Sequence, residues 1–162
     1  MSDLSDGVDF ALAAFRDDGE WQLQEIASPA YDSVDSLSHA LRRLPGDAGA
    51  VGMVAVDEDF FLLVRVEGSS TRVLLSDITA AEEWELARSA LDFLGLPPVE
   101  DEDEPAPAGD LELLGELGMR AVDLAVLLDD DDDLYPDEML SEIARRLGFG
   151  ELFDDVVGFT SA

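Results

Sequence analysis

Residues 50–75, AVGMVAVDEDFFLLVRVEGSSTRVLL, decide the fold of this 162-residue chain. Three apolar, β-branched segments, 50–56, 60–66 and 72–75, are separated by three acidic residues and then by a short polar stretch around Gly68. Apolar segments bounded by such residues predict strands. Connections this short cannot hold the crossover helix that parallel strands need, so the three strands are predicted to form an antiparallel meander.

The middle strand of this meander is apolar on both of its faces. Phe61 and Leu63 share one face with the charged Arg65. A strand that is apolar on both faces belongs to a sheet with cover on both sides. We therefore expect one face to be fully covered and the other, which ends in Arg65, to be covered in part. The face expected to be fully covered carries Phe60, Leu62, Val64 and Val66.

Two more strands and a first helix are predicted before the meander. Residues 8–15 and 21–26 flank a turn at Gly19 and predict a β-hairpin. Residues 33–44 carry leucines at helical spacing and are followed by Pro45. With a second helix after the meander, the prediction is an α+β fold: an antiparallel sheet of about five strands with two helices, followed by a small helical C-terminal unit.

The second helix is predicted to begin at a capping box. Thr79 and Glu82 have the spacing at which each side chain satisfies a free backbone N–H of the other, and the helix should run to about Leu94. Its apolar residues form two stripes, one beginning at Trp84 and one ending at Phe93. A helix with two apolar sides must be covered twice. The expected second cover is the C-terminal segment or a partner chain.

Composition divides the chain into three parts. Residues 1–96 hold the predicted sheet, and residues 97–109, PPVEDEDEPAPAG, form an acidic Pro-rich linker. Residues 110–162 are predicted to be helical, with a short helix capped by Asp110 and another from Pro136 through Leu147, ended by Gly148. The two-sided helix makes docking of this unit on the first domain the expectation. Its predicted inward residues are Met139, Leu140, Ile143 and Leu147, and a last apolar patch comprises Phe149, Leu152, Phe153, Val156 and Val157.

The net charge limits the kinds of partner. There are 39 Asp and Glu residues against nine basic residues, all of them Arg, so the formal net charge is −30. A hydrophobic content of 47% excludes a wholly disordered acidic chain. Binding to nucleic acid depends on cations that replace phosphate counterions, and binding to anionic membranes also needs basic residues. We therefore expect neither a direct nucleic-acid ligand nor a membrane surface.

The acidity belongs to the whole surface. The acidic runs at 100–104 and 129–133 contain ten acids between them, and 29 acids against nine arginines would remain without both runs. Such a charge reflects either the compositional habit of a proteome or a selected role in choosing partners. The N-terminus lacks the basic residues of a signal peptide, and no apolar run approaches the ~20 residues that span a bilayer. A cytoplasmic protein is predicted.

No catalytic, cofactor-binding or metal-ligating residue is assigned from the sequence. The five aspartates at 129–133 fail as a calcium loop, because Leu134 stands where the turn needs Gly and Leu140 where a bidentate Glu is needed. Without Cys and with one His, the chain cannot build a zinc site by itself. His39 should lie on the solvent side of its helix, with no evident nucleophile beside it. The sequence does not decide whether a pair of carboxylates is catalytic, because 39 acids offer too many pairs to choose from.

One segment has the outline of a helix-turn-helix. Residues 113–128 comprise two predicted helices around Gly118. The second of these helices carries Asp123 and leads into the five aspartates, and Arg120 is its one cation. Phosphate groups would be repelled there. We interpret the segment as a helical hairpin packed for stability.

Motifs spread along the chain resemble one known family. They are the opening hairpin with Trp21, FFLLVRV at 60–66, VLLSD at 73–77, GDLELL at 109–114, YPDE at 135–138 and RLGFG at 146–150. Their order resembles that of the tRNA adenosine deaminase-associated proteins of actinobacteria, over nearly the whole chain. The resemblance implies that the gene neighbours one for a tRNA adenosine deaminase. It brings no activity and no site residues.

The chain is not itself predicted to be that deaminase. A tRNA adenosine deaminase holds zinc through His and Cys in H-x-E and P-C-x-x-C motifs. Here His39 is followed by Ala40 and Leu41, and Cys is absent. We expect a protein that is not an enzyme.

Three hypotheses follow from the sequence. The first is a non-catalytic acidic protein that binds the cationic face of a tRNA adenosine deaminase and regulates or stabilises it. The second is a homodimeric adaptor whose acidity is only proteome habit and which associates through the stripe containing Phe93. The third is a hydrolase that uses Asp and Glu with a recruited divalent ion.

Overall fold

The computed structural model confirms the α+β class with an antiparallel sheet. It describes residues 8–17, 20–26, 33–44, 49–56, 60–67, 70–82, 84–96, 107–129 and 136–157. These form a six-stranded sheet in the order β2-β1-β3-β4-β5-β6, one strand more than predicted. The strands are β1 (Val8–Asp17), β2 (Glu20–Glu25), β3 (Ala50–Val56), β4 (Phe60–Glu67), β5 (Ser70–Leu75) and β6 (Ala108–Gly109).

Helices account for most of the remaining described residues. The α-helices are α1 (Val34–Leu41), α2 (Glu85–Leu94), α3 (Ala121–Asp129), α4 (Pro136–Leu147) and α5 (Gly150–Val157). Two 3₁₀ helices, Ile78–Glu82 and Leu111–Leu117, precede α2 and α3. The predicted short helix capped by Asp110 is the second of these: the Asp110 side chain accepts from the Glu112 N–H at 2.9 Å.

The predicted meander and hairpin are both present. In the meander, β3 pairs with β4 and β4 with β5, all antiparallel. In the hairpin, β1 pairs with β2. The other edge of β1 pairs with β3, so α1 carries the chain across β1. The long buried strands therefore lie in the middle of the sheet, and β2 and β6 lie at its edges.

Two hydrophobic cores cover the sheet, one on each side. The first face carries Phe60 and Leu62 and packs against α1 and α2. The second face carries Phe61 and Leu63 and packs against the second 3₁₀ helix and α3 to α5. Every residue of β3, and every residue of β4 except its last, Glu67, is buried. The fold therefore has three layers with the β3–β4 hairpin at its centre.

The second face is more fully covered than the sequence indicated. Arg65, expected at the open end of that face, is only 2% exposed. One of its terminal nitrogens donates to the carbonyl of Leu113 at 3.0 Å. Its cross-strand neighbour Arg72 donates to the carbonyl of Glu112 at 3.5 Å and lies 3.6 Å from the Asp110 carboxylate. Two adjacent arginines thus hold the 3₁₀ helix Leu111–Leu117 onto the sheet, and this helix closes the end expected to be open.

The predicted capping box at Thr79 and Glu82 is wrong. The hydroxyl and the N–H of Thr79 both donate to the Asp77 carboxylate, at 2.6 and 2.9 Å. This local turn begins the 3₁₀ helix Ile78–Glu82, and α2 begins later, after Trp84. Thr79 therefore lies inside the 3₁₀ helix and not at the start of α2, whose N-cap residue, Trp84, makes no side-chain capping hydrogen bond.

The expectation that the C-terminal segment covers a second side of α2 is also wrong. Leu86 and Ala87 are both buried on the first face, so the two stripes merge into one wide surface. Phe93, at the border of that surface, stays 41% exposed. The C-terminal helices pack on the opposite face of the sheet. Residues about 100° apart on a helix both contact a broad sheet, so two stripes need not mean two covers.

The C-terminal helices follow the predicted pattern closely. The bounds of α4 coincide with those expected, and all four of its predicted inward residues are buried. In α5, Phe153 is buried whereas Leu152 is 40% exposed. The interior of the predicted linker, 97–106, lies outside the described residues. Its last two residues form β6, and the domain boundaries at 96 and 110 stay predictions.

Gly109 is required where β6 meets β5. Its φ is +124°, a conformation that L side chains rarely adopt. A Cβ at this position would lie 2.1 Å from the carbonyl oxygen of Val73. The close approach of the two backbones therefore depends on the absence of a side chain.

We expect Gly109→Ala to lower the free energy of unfolding by about 2 kcal/mol or more, since it adds backbone strain and a clash. Gly115→Ala is the matched control, because a Cβ there meets nothing within 4 Å. Urea unfolding of both variants provides the measurement. Equal midpoints for the two would contradict the assigned pairing of β5 with β6.

The buried arginine gives a second stability test. We expect Arg65→Ala to cost about 3 kcal/mol, because it leaves a cavity and removes the donor to a buried carbonyl. Arg72→Ala, at a half-exposed neighbour in the same row, should cost about 1 kcal/mol or less. Thermal unfolding compares the two variants, and a larger loss for Arg72→Ala would show that the buried contact is not the important one.

Candidate functional site

The fold does not bring the candidate catalytic and metal-binding residues of the sequence together into one site. His39 is exposed on the outer side of α1, away from the buried Leu37 and Leu41. Across the described ranges, no three His, Asp or Glu side chains are placed to hold a metal ion. The side chains of the five aspartates at 129–133 fall outside the described residues. No residue of the described part is therefore assigned a catalytic or metal-binding role.

The helix-turn-helix outline is a packed hairpin. The 3₁₀ helix Leu111–Leu117 contributes the fully buried Leu113 and Leu114 to the second core, and α3 contributes Leu124. Asp123 of α3 lies 4.0 Å from Arg146, which also donates to the Glu142 carboxylate at 3.0 Å. The helix that would read a DNA groove thus presents a carboxylate and an apolar face, which is not a surface suited to phosphate.

Helix α3 exposes the apolar surface that sequence reasoning missed. Val122 is 58% exposed and Val126 59%, one helical turn apart, with the exposed Ala125 between them. We call these three residues the α3 apolar face. The opposite side of α3 carries the buried Leu124, Leu127 and Leu128, so the helix is apolar around nearly its whole circumference. That property was visible in the sequence, but which side would remain uncovered was not.

Smaller apolar exposures occur elsewhere in the described part of the chain. Phe93 and Leu96 are each 41% exposed near the end of α2, and Leu152 is 40% exposed on α5. Val122 and Val126 are more exposed than any of these. The α3 apolar face is therefore the strongest candidate for a surface that a partner covers.

An open groove of about 610 Å³ lies between α4 and α5. Arg145, Phe149 and Leu152 contribute to its lining. The hydroxyl of Ser141 donates to the Asp154 carboxylate at 3.4 Å, and Arg145 forms an ion pair with Glu142. A carboxylate is too weak a base to activate a serine hydroxyl by itself, and the groove lining contains neither His nor Lys, so Ser141 is not an activated nucleophile. The groove has the mixed polarity of an ordinary surface cleft.

A second, smaller hollow lies where α1 meets the β1–β2 hairpin. Its volume is about 150 Å³, and its lining includes Ala13, Gln24, Glu25 and Leu41. No cation and no nucleophile faces this hollow among the residues that line it. The residues that line this hollow therefore provide no candidate catalytic group.

Most of the arginines are engaged within the chain. Arg16 lies over the Trp21 ring at 4.9 Å, and Arg42 donates to the Thr71 hydroxyl at 2.6 Å. Arg88 donates to the carbonyl of Ala81, and Arg65 is buried. Acidic residues outnumber arginines by 39 to nine, so carboxylates dominate the charge of the surface. Its electrostatic potential favours a cationic protein.

The described helices contain no membrane-spanning candidate, since none combines the required length with sufficient apolar character.

Comparison with known proteins places this architecture in a family. Residues 9–150 match the model of the Rv3753c-like tRNA adenosine deaminase-associated proteins. A relative, Protein Rv3753c of Mycobacterium tuberculosis, is 38% identical over 159 residues, which span 96% of this chain and 90% of that protein. No solved structure gives a significant match. The family resemblance seen in the sequence is confirmed: the chain belongs to the Rv3753c-like tRNA adenosine deaminase-associated protein family.

Proposed function

We propose that this chain is a non-catalytic cytoplasmic protein that binds a tRNA adenosine deaminase at a cationic face of that enzyme. The observation that carries the proposal is membership of a family described by its association with such a deaminase, in a chain with a net charge of −30. An enzyme that holds tRNA needs a cationic surface. An acidic protein is steered to that surface by long-range attraction.

The packing of the molecule supports a binding role. In the part of the chain that the structure describes, helices cover both faces of the sheet, and the small hollow beside α1 is lined by neither a cation nor a nucleophile. In the larger groove, Ser141 is hydrogen-bonded to Asp154, and Arg145 forms an ion pair with Glu142, which lies outside the groove lining. What remains for recognition is the outer surface, with its carboxylates and its exposed apolar residues. Such a surface suits a protein partner.

Two effects on the enzyme are compatible with this docking. A chain bound to the tRNA-binding face would compete with tRNA, because both ligands are polyanions. A chain bound beside that face would stabilise the enzyme without displacing tRNA. The two effects differ in whether added tRNA weakens the complex.

Binding should be strong at low salt and weak at high salt. We expect the immobilised chain to retain the purified deaminase at ~50 mM salt and to release most of it by ~500 mM, because salt screens attraction between exposed charges. A cationic protein of similar size that is unrelated to deaminases is the control. Equal retention of that control would show attraction without recognition, and no retention of the deaminase at low salt would refute the proposal.

The alternative function is a homodimeric adaptor. The observation that favours it is the pair of apolar residues Phe93 and Leu96, each 41% exposed near the end of α2. A dimer through this site must overcome the repulsion of two chains that each carry −30.

Light scattering distinguishes the two functions. Under our proposal we expect the mass of one chain for both the wild type and Phe93→Asp. Added salt should leave that mass unchanged. A wild-type dimer that Phe93→Asp dissociates would instead support the adaptor.

Elemental analysis of the purified chain tests the hydrolase hypothesis. A divalent ion that stays with the purified chain through extensive dialysis, detected by elemental analysis, would support metal-assisted chemistry over a binding role.

A further inference from the structure

We infer that the α3 apolar face, Val122 with Ala125 and Val126, is where the partner makes its apolar contact, and that the partner contributes a row of apolar side chains from a surface that is cationic overall. This inference rests on the proposed function and assigns that function to a place on the molecule.

The exposure of this face is not explained by the fold of the single chain. Val122 and Val126 lie four residues apart, so their side chains are neighbours on the helix surface. β-Branched residues lose rotamer freedom in a helix, and at more than half exposure they bury little apolar area in return. Polar residues at these two positions would serve an isolated chain at least as well. A helix that is apolar on every side is typical of one that is covered on every side.

The surroundings of the face have the composition of an interface rim. Arg120 is exposed just before α3, and Asp123 projects from the helix beside Val122 and contacts Arg146 of α4. Arg146 is held in turn by Glu142. An apolar centre with a charged border is the usual anatomy of a protein–protein contact. Because Arg146 pairs with both Asp123 and Glu142, this border is nearly neutral, and the attraction of a cationic partner comes from the net charge of the whole chain.

The occupant is a cationic partner and not a second copy of this chain. Two copies would each bring a net charge of −30, and they would repel one another over the whole approach. Helix α3 has nine residues and is about 13 Å long, too short to bury by itself the ~1,200 Å² or more of a stable dimer. A cationic protein avoids both difficulties, because its attraction to the acidic surface supplements a small apolar contact.

The test compares two double variants of the full chain in binding to the purified deaminase. Val122→Ser with Val126→Ser removes the α3 apolar face. Phe93→Ser with Leu152→Ser is the matched control, because it also replaces two exposed apolar side chains and leaves the net charge unchanged. We expect the first variant to raise Kd about tenfold and the control to stay within about twofold.

Two further measurements separate an interface effect from a folding effect. Both variants should keep the wild-type unfolding midpoint, since the four replaced side chains are all at least 40% exposed. Val122→Thr with Val126→Thr keeps the branched shape and should weaken binding in the same direction. The tenfold ratio should persist at high salt while every Kd rises, because salt screens charge and does not weaken apolar contact.

Several results would overturn the inference. One is binding of Val122→Ser/Val126→Ser with wild-type Kd, which would leave the proposed function standing with its contact elsewhere. Another is an equal loss in Phe93→Ser/Leu152→Ser. A third is a wild-type dimer by light scattering that only the α3 variant dissociates, which would make a second copy the occupant. Failure of the wild-type chain to bind the deaminase would remove the proposed function itself, and this inference with it.

Discussion

Burial of the β3–β4 hairpin on both faces is the constraint on which the rest of the structure depends. Phe60 and Leu62 point into one core, and Phe61 and Leu63 into the other. Neither face can be left to water, so a helical layer is needed on each side. Helices α1 and α2 supply the first layer and the C-terminal helices the second. The acidic segment between them joins two halves of one structure, and Arg65 shows how closely they meet, since its guanidinium is buried between β4 and the Leu113 carbonyl.

Much of this fold could be predicted from the sequence because its signals are local and repeated. Apolar segments with short connections over 50–75 predicted the meander, and Pro136 at the start and Gly148 after the end predicted the bounds of α4. The misses have tertiary causes. A two-residue strand such as β6 has no pattern of its own and exists because Gly109 permits a close approach to β5. Thr79 lies in a separate 3₁₀ helix that begins at Ile78, and a capping motif does not show that α2 begins only after Trp84. Arg65 was expected at an open end of the sheet, because the sequence does not show that the Leu113 carbonyl lies opposite its guanidinium.

The candidate surface was harder to predict than the fold for a related reason. The sequence shows that α3 is apolar on nearly every side, but exposure depends on which side the sheet covers. Leu124 packs on the second core and Val126 does not, although both residues are equally apolar. In the proposed function, family membership indicates the class of partner, and the charge of the chain indicates the sign of the partner's surface. The proposed binding through a surface agrees with cores that are covered on both faces of the described sheet.

Amide hydrogen exchange of the chain, alone and with the purified deaminase at low salt, tests most directly the proposal that α3 contacts the deaminase. We expect slower exchange in α3 when the enzyme is present, and unchanged exchange in β3 and β4, which are already fully buried. Protection confined to the end of α2 around Phe93, or no protection anywhere in the chain, would contradict it.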